Sequence, residues 1–268
     1  MNNLPHRAMR GFTLASVTAL LVACGGGGSA DSPVVEEAFY PAEDEEWELV
    51  WQDEFDGATL DSSNWEAQLG DGSDYGLDRW GNGEQQWYQA ENATVADGLL
   101  TITARSEQVV SGFPYTSARL RSANKFDFQY GKVEVRAKAA LGGGLWSAVW
   151  MLPTDTPYGT WAGSGEFDIM EVVNAGTARE RVFLTAHHGL EWPLNQQAGM
   201  DVDVDAPGEE FHTYSIEWSD NLIHWFIDGE HLMTVGAEHY YSYYYAGLHE
   251  GFKNGSESAP FDVPFHLL

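Results

Sequence analysis

The chain has 268 residues, 43% hydrophobic and 13% aromatic, enough for one large all-β core or two small domains. Forty-one Asp and Glu against thirteen Lys and Arg leave a net charge of −28, which repels phosphate backbones and excludes nucleic acid as a partner. The single cysteine excludes a disulfide framework.

Arg7 and Arg10 precede an apolar stretch, Gly11–Ala23, too short to span a bilayer as a mature helix and suited to an export signal over residues 1–23. The stretch ends in Leu21-Val22-Ala23-Cys24, which resembles a bacterial lipobox. That resemblance implies cleavage before Cys24, lipidation of its thiol and an exported, membrane-anchored lipoprotein. Gly25 rather than Asp after the modified residue implies the outer membrane or cell surface. "GGGGSADSP" opens a flexible, acidic and Gly-rich tether over residues 24–46.

From Trp47 onward the pattern is short strands punctuated by Gly, Asp and Asn. Candidates are Glu48–Trp51, Leu99–Arg105, Ala118–Phe126, Lys132–Lys138, Leu145–Met151, Gly165–Val173 and Arg181–His187. Lys132–Lys138 alternates strictly, with Val133, Val135 and Ala137 on one face. Thr213–Val235 reads as three strands joined by turns at Ser219-Asp220-Asn221 and Asp228-Gly229. No helical period and no internal repeat competes with this, so residues 47–268 are predicted to form a β-sandwich, specifically a jelly roll. The chain stops at "APFDVPFHLL", inside what reads as a strand, so the expectation is a domain truncated at its C-terminus.

The segment "GSGEFDIMEVV" (Gly163–Val173) sets Glu166, Asp168 and Glu171 among core-type residues. In a strand Glu166 and Asp168 share a face, while Phe167 and Ile169 point into the core. Glu171 stands at an odd separation from Glu166, so a regular strand would turn it inward. A one-residue bulge near Ile169–Met170 returns it to the open face. Four regular steps then separate the two Glu Cα atoms by roughly 13 Å. Inward-leaning side chains leave roughly 5–6 Å between carboxyls, the spacing of a retaining glycosidase rather than an inverting one. Asp168 lies between them, placed to adjust their proton affinities.

These residues resemble glycoside hydrolase family 16, in particular its laminarinase-like members. The family signature Glu-x-Asp-x-x-Glu on a bulged strand is matched by Glu166, Asp168 and Glu171. The blocks "LVWQDEFDG", "WGNGEQQWY", "ENATVADGLLTITAR", "YTSARLRS", "FQYGKVEVRAK", "GGGLWSAVWMLP" and "TAHHG" follow in family order. Two residues between Asp168 and Glu171, where lichenases usually have one, point to the laminarinase form. The resemblance implies a concanavalin A-like jelly roll with an open cleft on its concave face. It also implies a monomeric, retaining endo-β-1,3-glucanase that binds β-glucan and requires no cofactor. Mixed-linkage glucanase, agarase or carrageenase action and a non-catalytic β-glucan-binding role are the alternatives.

Residue by residue, the resemblance places Trp146 and Trp150 as aromatics lining the sugar subsites. It places Asn82 and Glu84 in a loop walling the negative subsites, Arg119 in the cleft and His187 beside the acid/base. His188 is expected on the opposite face. Many relatives hold a structural calcium, and Glu54 and Gly98 resemble two of its ligands. The third, an Asp on the final strand, falls beyond Leu268.

Overall fold

A computed structural model describes residues 47–268; Cys24, the export signal and the tether lie outside the described residues. Short strands come first: β1 (Glu66–Gln68), β2 (Gln86–Tyr88), β3 (Ala93–Ala96), β4 (Leu99–Ile102), β5 (Tyr115–Ser117) and β6 (Arg119–Arg121). The body follows as β7 (Gly131–Ala137), β8 (Trp146–Pro153), β9 (Glu166–Val173), β10 (Arg181–Gly189), β11 (Asn195–Val202), β12 (His212–Trp218), β13 (Leu222–Ile227) and β14 (Glu230–Gly236). A small hairpin, β15 (Tyr243–Tyr245) with β16 (Phe252–Asn254), precedes β17 (Phe265–Leu267).

Two antiparallel sheets form the jelly roll. One has the order β11-β10-β9-β8-β17 and the other β14-β13-β12-β7. Alternation sends Phe167 and Ile169 of β9, Leu184 and Ala186 of β10 and Met151 of β8 inward. They meet Tyr214, Ile216 and Trp218 of β12 and Ile223 and Trp225 of β13. Phe167 is the hub of this core. Its ring stacks on Phe261 at 4.4 Å and lies 4.9–5.2 Å from Phe265 and Trp218.

Three sequence expectations need correction. Glu48–Trp51 forms no strand: Leu49 and Val50 are exposed, and only Trp51 finds a partner, stacked on Phe126. An apolar run with no neighbouring strand to pair with stays irregular. The strand expected over Ala118–Phe126 ends at Arg121, because Ser122 turns the chain by accepting the amides of Lys125 and Phe126 on its carbonyl. Leu99–Arg105 likewise shortens to Leu99–Ile102. Sequence reading also passed over β11, whose Gln, Gly and Asp residues hide its pairing along the full length of β10.

Candidate active site

The acids are positioned by a break in the ladder. On one side β9 pairs Glu171 with Phe183 and Asp168 with Thr185; on the other it pairs Met170 with Val149 and Asp168 with Trp150. An extra residue therefore sits at Ile169–Met170, where the alternation of charge and apolar side chains required one. Phe167, Ile169, Met170 and Val172 are buried in the core, while Glu166 and Glu171 remain partly open.

Each glutamate accepts an indole N–H at 2.8 Å: Glu166 Oε2 from Trp161 Nε1, and Glu171 Oε1 from Trp146 Nε1. His187 stands opposite Glu166 in the register, its Nε2 3.8 Å from Glu166 Oε1 and 3.1 Å from Asp168 Oδ2. His188 turns to the other face, buried against Tyr241, where burial lowers its pKa to about 4.

Burial first, then the neighbouring Asp168 charge, pushes Glu166 up to about 8, opposed by His187 and by the Trp161 N–H. Burial also raises Asp168 well above the carboxylate range, with Glu171 adding repulsion. Glu171 is raised mainly by burial, against the Trp146 hydrogen bond and His187. Three crowded carboxyls cannot all ionise, so protons are shared among them. A nucleophile must be ionised, and His187 and the Trp161 N–H both favour the charge on Glu166. Asp168 Oδ2 is buried, with His187 Nε2 3.1 Å away. The Asp168 carboxyl reaches Glu166, so the two share a hydrogen bond in place of two full charges.

Glu166, Asp168 and His187 are also the one grouping among the described residues whose donor atoms converge within 4.8 Å, close enough for a metal. Glycosidic chemistry uses such atoms as nucleophile and acid instead. A groove of about 170 Å³ lies on the same sheet beside Glu171, lined by Phe183, Thr185, Gln197, Gly199, Met200 and Asp201.

Trp146 is the most exposed of the predicted aromatics, at 62%, with its ring free for a sugar face. Trp150 and Arg119 are joined: the guanidinium lies 4.6 Å from the Trp150 ring and 4.4 Å from Trp80, and its Nε bonds Gln68 Oε1 at 2.7 Å. Arg119 is thus held in a stack. Glu84 accepts Gln86 Nε2 at 2.5 Å, and Asn82 is exposed at the end of the turn Asp78–Gly81.

Glu54 lines a separate cavity of about 300 Å³ with Asp53, Asp56 and Asp61. Gly98 borders it: a Cβ there would lie 3.8 Å from Asp56 Oδ1.

Sequence reasoning missed Trp161, the donor to Glu166. Its signal was proximity alone, a tryptophan in the loop entering β9. Trp161→Phe removes that donor and raises the pKa of Glu166. The acidic limb of the kcat/KM profile, where Glu166 gains a proton, is expected to move to higher pH. Initial rates across pH check this, and an unmoved limb contradicts it.

A jelly-roll sandwich with two indole-held glutamates across a bulge on its open sheet defines the class of β-sandwich glycoside hydrolases. The chain belongs to glycosyl hydrolases family 16, whose profile matches residues 81–247. It is 37% identical to the Niallia circulans glucan endo-1,3-beta-glucosidase A1 over 82% of this chain and 33% of that one. It is 38% identical to the Rhodothermus marinus beta-glucanase over 83% of this chain and 74% of that one. The Thermotoga maritima laminarinase catalytic domain superposes with a TM-score of 0.69 at 36% identity, covering 83% of this chain and 86% of that one. The chain thus spans about a third of the Niallia relative.

Proposed function

We propose that the chain is a retaining endo-hydrolase of β-1,3-glucan acting by double displacement. The observation that carries the reading is the bulge, which sets Glu166 and Glu171 on one sheet face with Asp168 between them. Ionised Glu166 attacks the anomeric carbon, and the bond to the leaving oxygen breaks as Glu171 gives that oxygen its proton. Esterification removes the Glu166 charge, so the pKa of Glu171 falls. Glu171 then takes a proton from water as the water oxygen bonds C1 and releases Glu166. Two inversions retain the β configuration. Asp168 steadies Glu166 through the hydrogen bond their carboxyls share, and His187 lowers the proton affinities of Glu166 and Glu171.

Exposed Trp146 and the stacked Trp150 suit the apolar faces of pyranose rings. Arg119 stands on Trp150 with Glu84 near enough to feel its charge, and Asn82 lies two residues before Glu84 in the same loop. The charge of −28 disfavours sulfated galactans. The relatives named above as glucanases and a laminarinase support a glucan substrate. Assay against laminarin, lichenan, agarose and carrageenan, with products resolved by size, tests this. Oligosaccharides from laminarin are expected, and activity on galactans alone overturns the substrate while leaving the mechanism.

The organisation that accompanies this reading is an export signal (1–23), a tether (24–46) and a monomeric catalytic domain (47–268). Cys24 would carry the lipid and hold the enzyme at the outer membrane or cell surface. Labelling with a radioactive fatty acid is expected to mark the wild type and not Cys24→Ser; soluble, unlabelled protein as the sole mature form contradicts the anchor. A structural calcium near Glu54 and Gly98 would act on stability rather than chemistry, and a melting temperature unchanged by chelator removes it.

A further inference from the structure

The acids depend on a bulge, and the bulge is tied to the opposite sheet. Ile169 has no ladder partner on β8, since Val149 pairs with Met170 and Trp150 with Asp168. A bulge leaves backbone groups that must be satisfied elsewhere. Here the Asp168 carbonyl accepts Trp225 Nε1–H at 2.9 Å, across the sandwich from β13. Trp225 is 0% exposed, so water cannot replace this bond. The ladder beside it is irregular at the same place: β14 carries an extra residue, Leu232, between the partners of Trp225 and Phe226. Irregularities in the two sheets therefore meet at one hydrogen bond. Asp168 is held from both sides, its carboxyl against Glu166 and His187 and its carbonyl against the core.

We propose that Trp225 is a positioning residue, whose indole N–H locks the bulge register that sets Glu166 and Asp168 against Glu171. The inference rests on the reading of these acids as the reacting groups. A bulge that migrates by one residue turns a side chain to the other face, because strand neighbours point oppositely. Without the N–H, the buried Asp168 carbonyl loses its bond from the opposite sheet, and that contact no longer favours the present register over its neighbour.

Trp225→Phe tests this, with Trp218→Phe as its match. Trp218 is also buried and gives its Nε1–H to the Phe261 carbonyl at 3.1 Å, outside β9. Both variants lose one indole donor from the same core, so both should melt earlier. Only Trp225→Phe should lower kcat, by roughly ten- to a hundredfold as expected for acids misplaced by a fraction of an ångström. Its KM should hold within about twofold, since remote sugar contacts are untouched. The limbs of its pH–rate profile should also shift, as the spacing between carboxyls changes. Superimposable kcat and pH profiles for the two variants overturn the proposal.

A second measurement needs no variant. In ¹H–¹⁵N spectra of the wild type, the Trp225 indole resonance should follow the titration of the cleft acids, while that of Trp218 should not. A Trp225 resonance that ignores the titration overturns the proposal even if the variants fail to fold. A wild type inactive on every glycan would overturn the functional reading instead, and the indole titration would still decide the role of Trp225.

Discussion

Glu171→Ala is expected to split the reaction into its halves. With an aryl glycoside whose leaving group needs no proton, Glu166 still forms its ester, and an early burst of aryl alcohol should precede a stall. Turnover should then fall by about 10²–10⁴-fold, the usual contribution of a general acid/base. Azide is an anion that attacks without a base, so it should restore turnover and yield the β-glycosyl azide. Glu166→Gln should abolish turnover, because an amide is no nucleophile here. Glu166→Ala with azide should give the α-azide by one direct displacement. Early NMR of wild-type product should show the β-anomer first. Exchanged azide configurations would reverse the two roles; α-anomer first would replace retention by inversion.

Phe167→Ala should cost about 3–5 kcal/mol of stability, among the largest losses a single substitution can cause in this core. Phe167 is fully buried and touches Trp218, Trp225, Phe261 and Phe265, rings contributed by both sheets and by the segment before β17. Removing it opens a cavity that neighbouring rings cannot fill, since each is fixed by further contacts. Phe261 also meets Tyr240, and Trp218 also meets Tyr130. Equilibrium urea unfolding of wild type and variant measures the difference. A loss below about 1 kcal/mol would show that the core collapses onto the gap. Because Phe167 lies between Glu166 and Asp168 in β9, lost activity in a still-folded variant would report the same cavity from the cleft side.

The bulge was legible before any coordinates. Alternation with period two leaves no other way to bring Glu166, Asp168 and Glu171 to one face while Phe167, Ile169 and Val172 stay inside. The jelly roll was legible for a similar reason: β7, β9 and β12–β14 carry their faces in their own residues. Strand ends were not, because Glu48–Trp51 has strand-like composition but no strand to pair with, and Ser122–Phe126 is taken into a turn on the Ser122 carbonyl. Neither was β11, whose polar residues join a ladder that only β10 makes available.

Local sequence therefore determined which residues face the cleft, since side-chain direction follows from backbone period within one strand. It could not determine what touches them. Trp161 reaches Glu166 from a loop, His187 reaches both Glu166 and Asp168 from the next strand, and Trp225 reaches the Asp168 carbonyl from the other sheet. Those approaches set the charge and register of the acids. They exist only once two sheets have packed, because each joins residues whose separation along the chain carries no periodic signal.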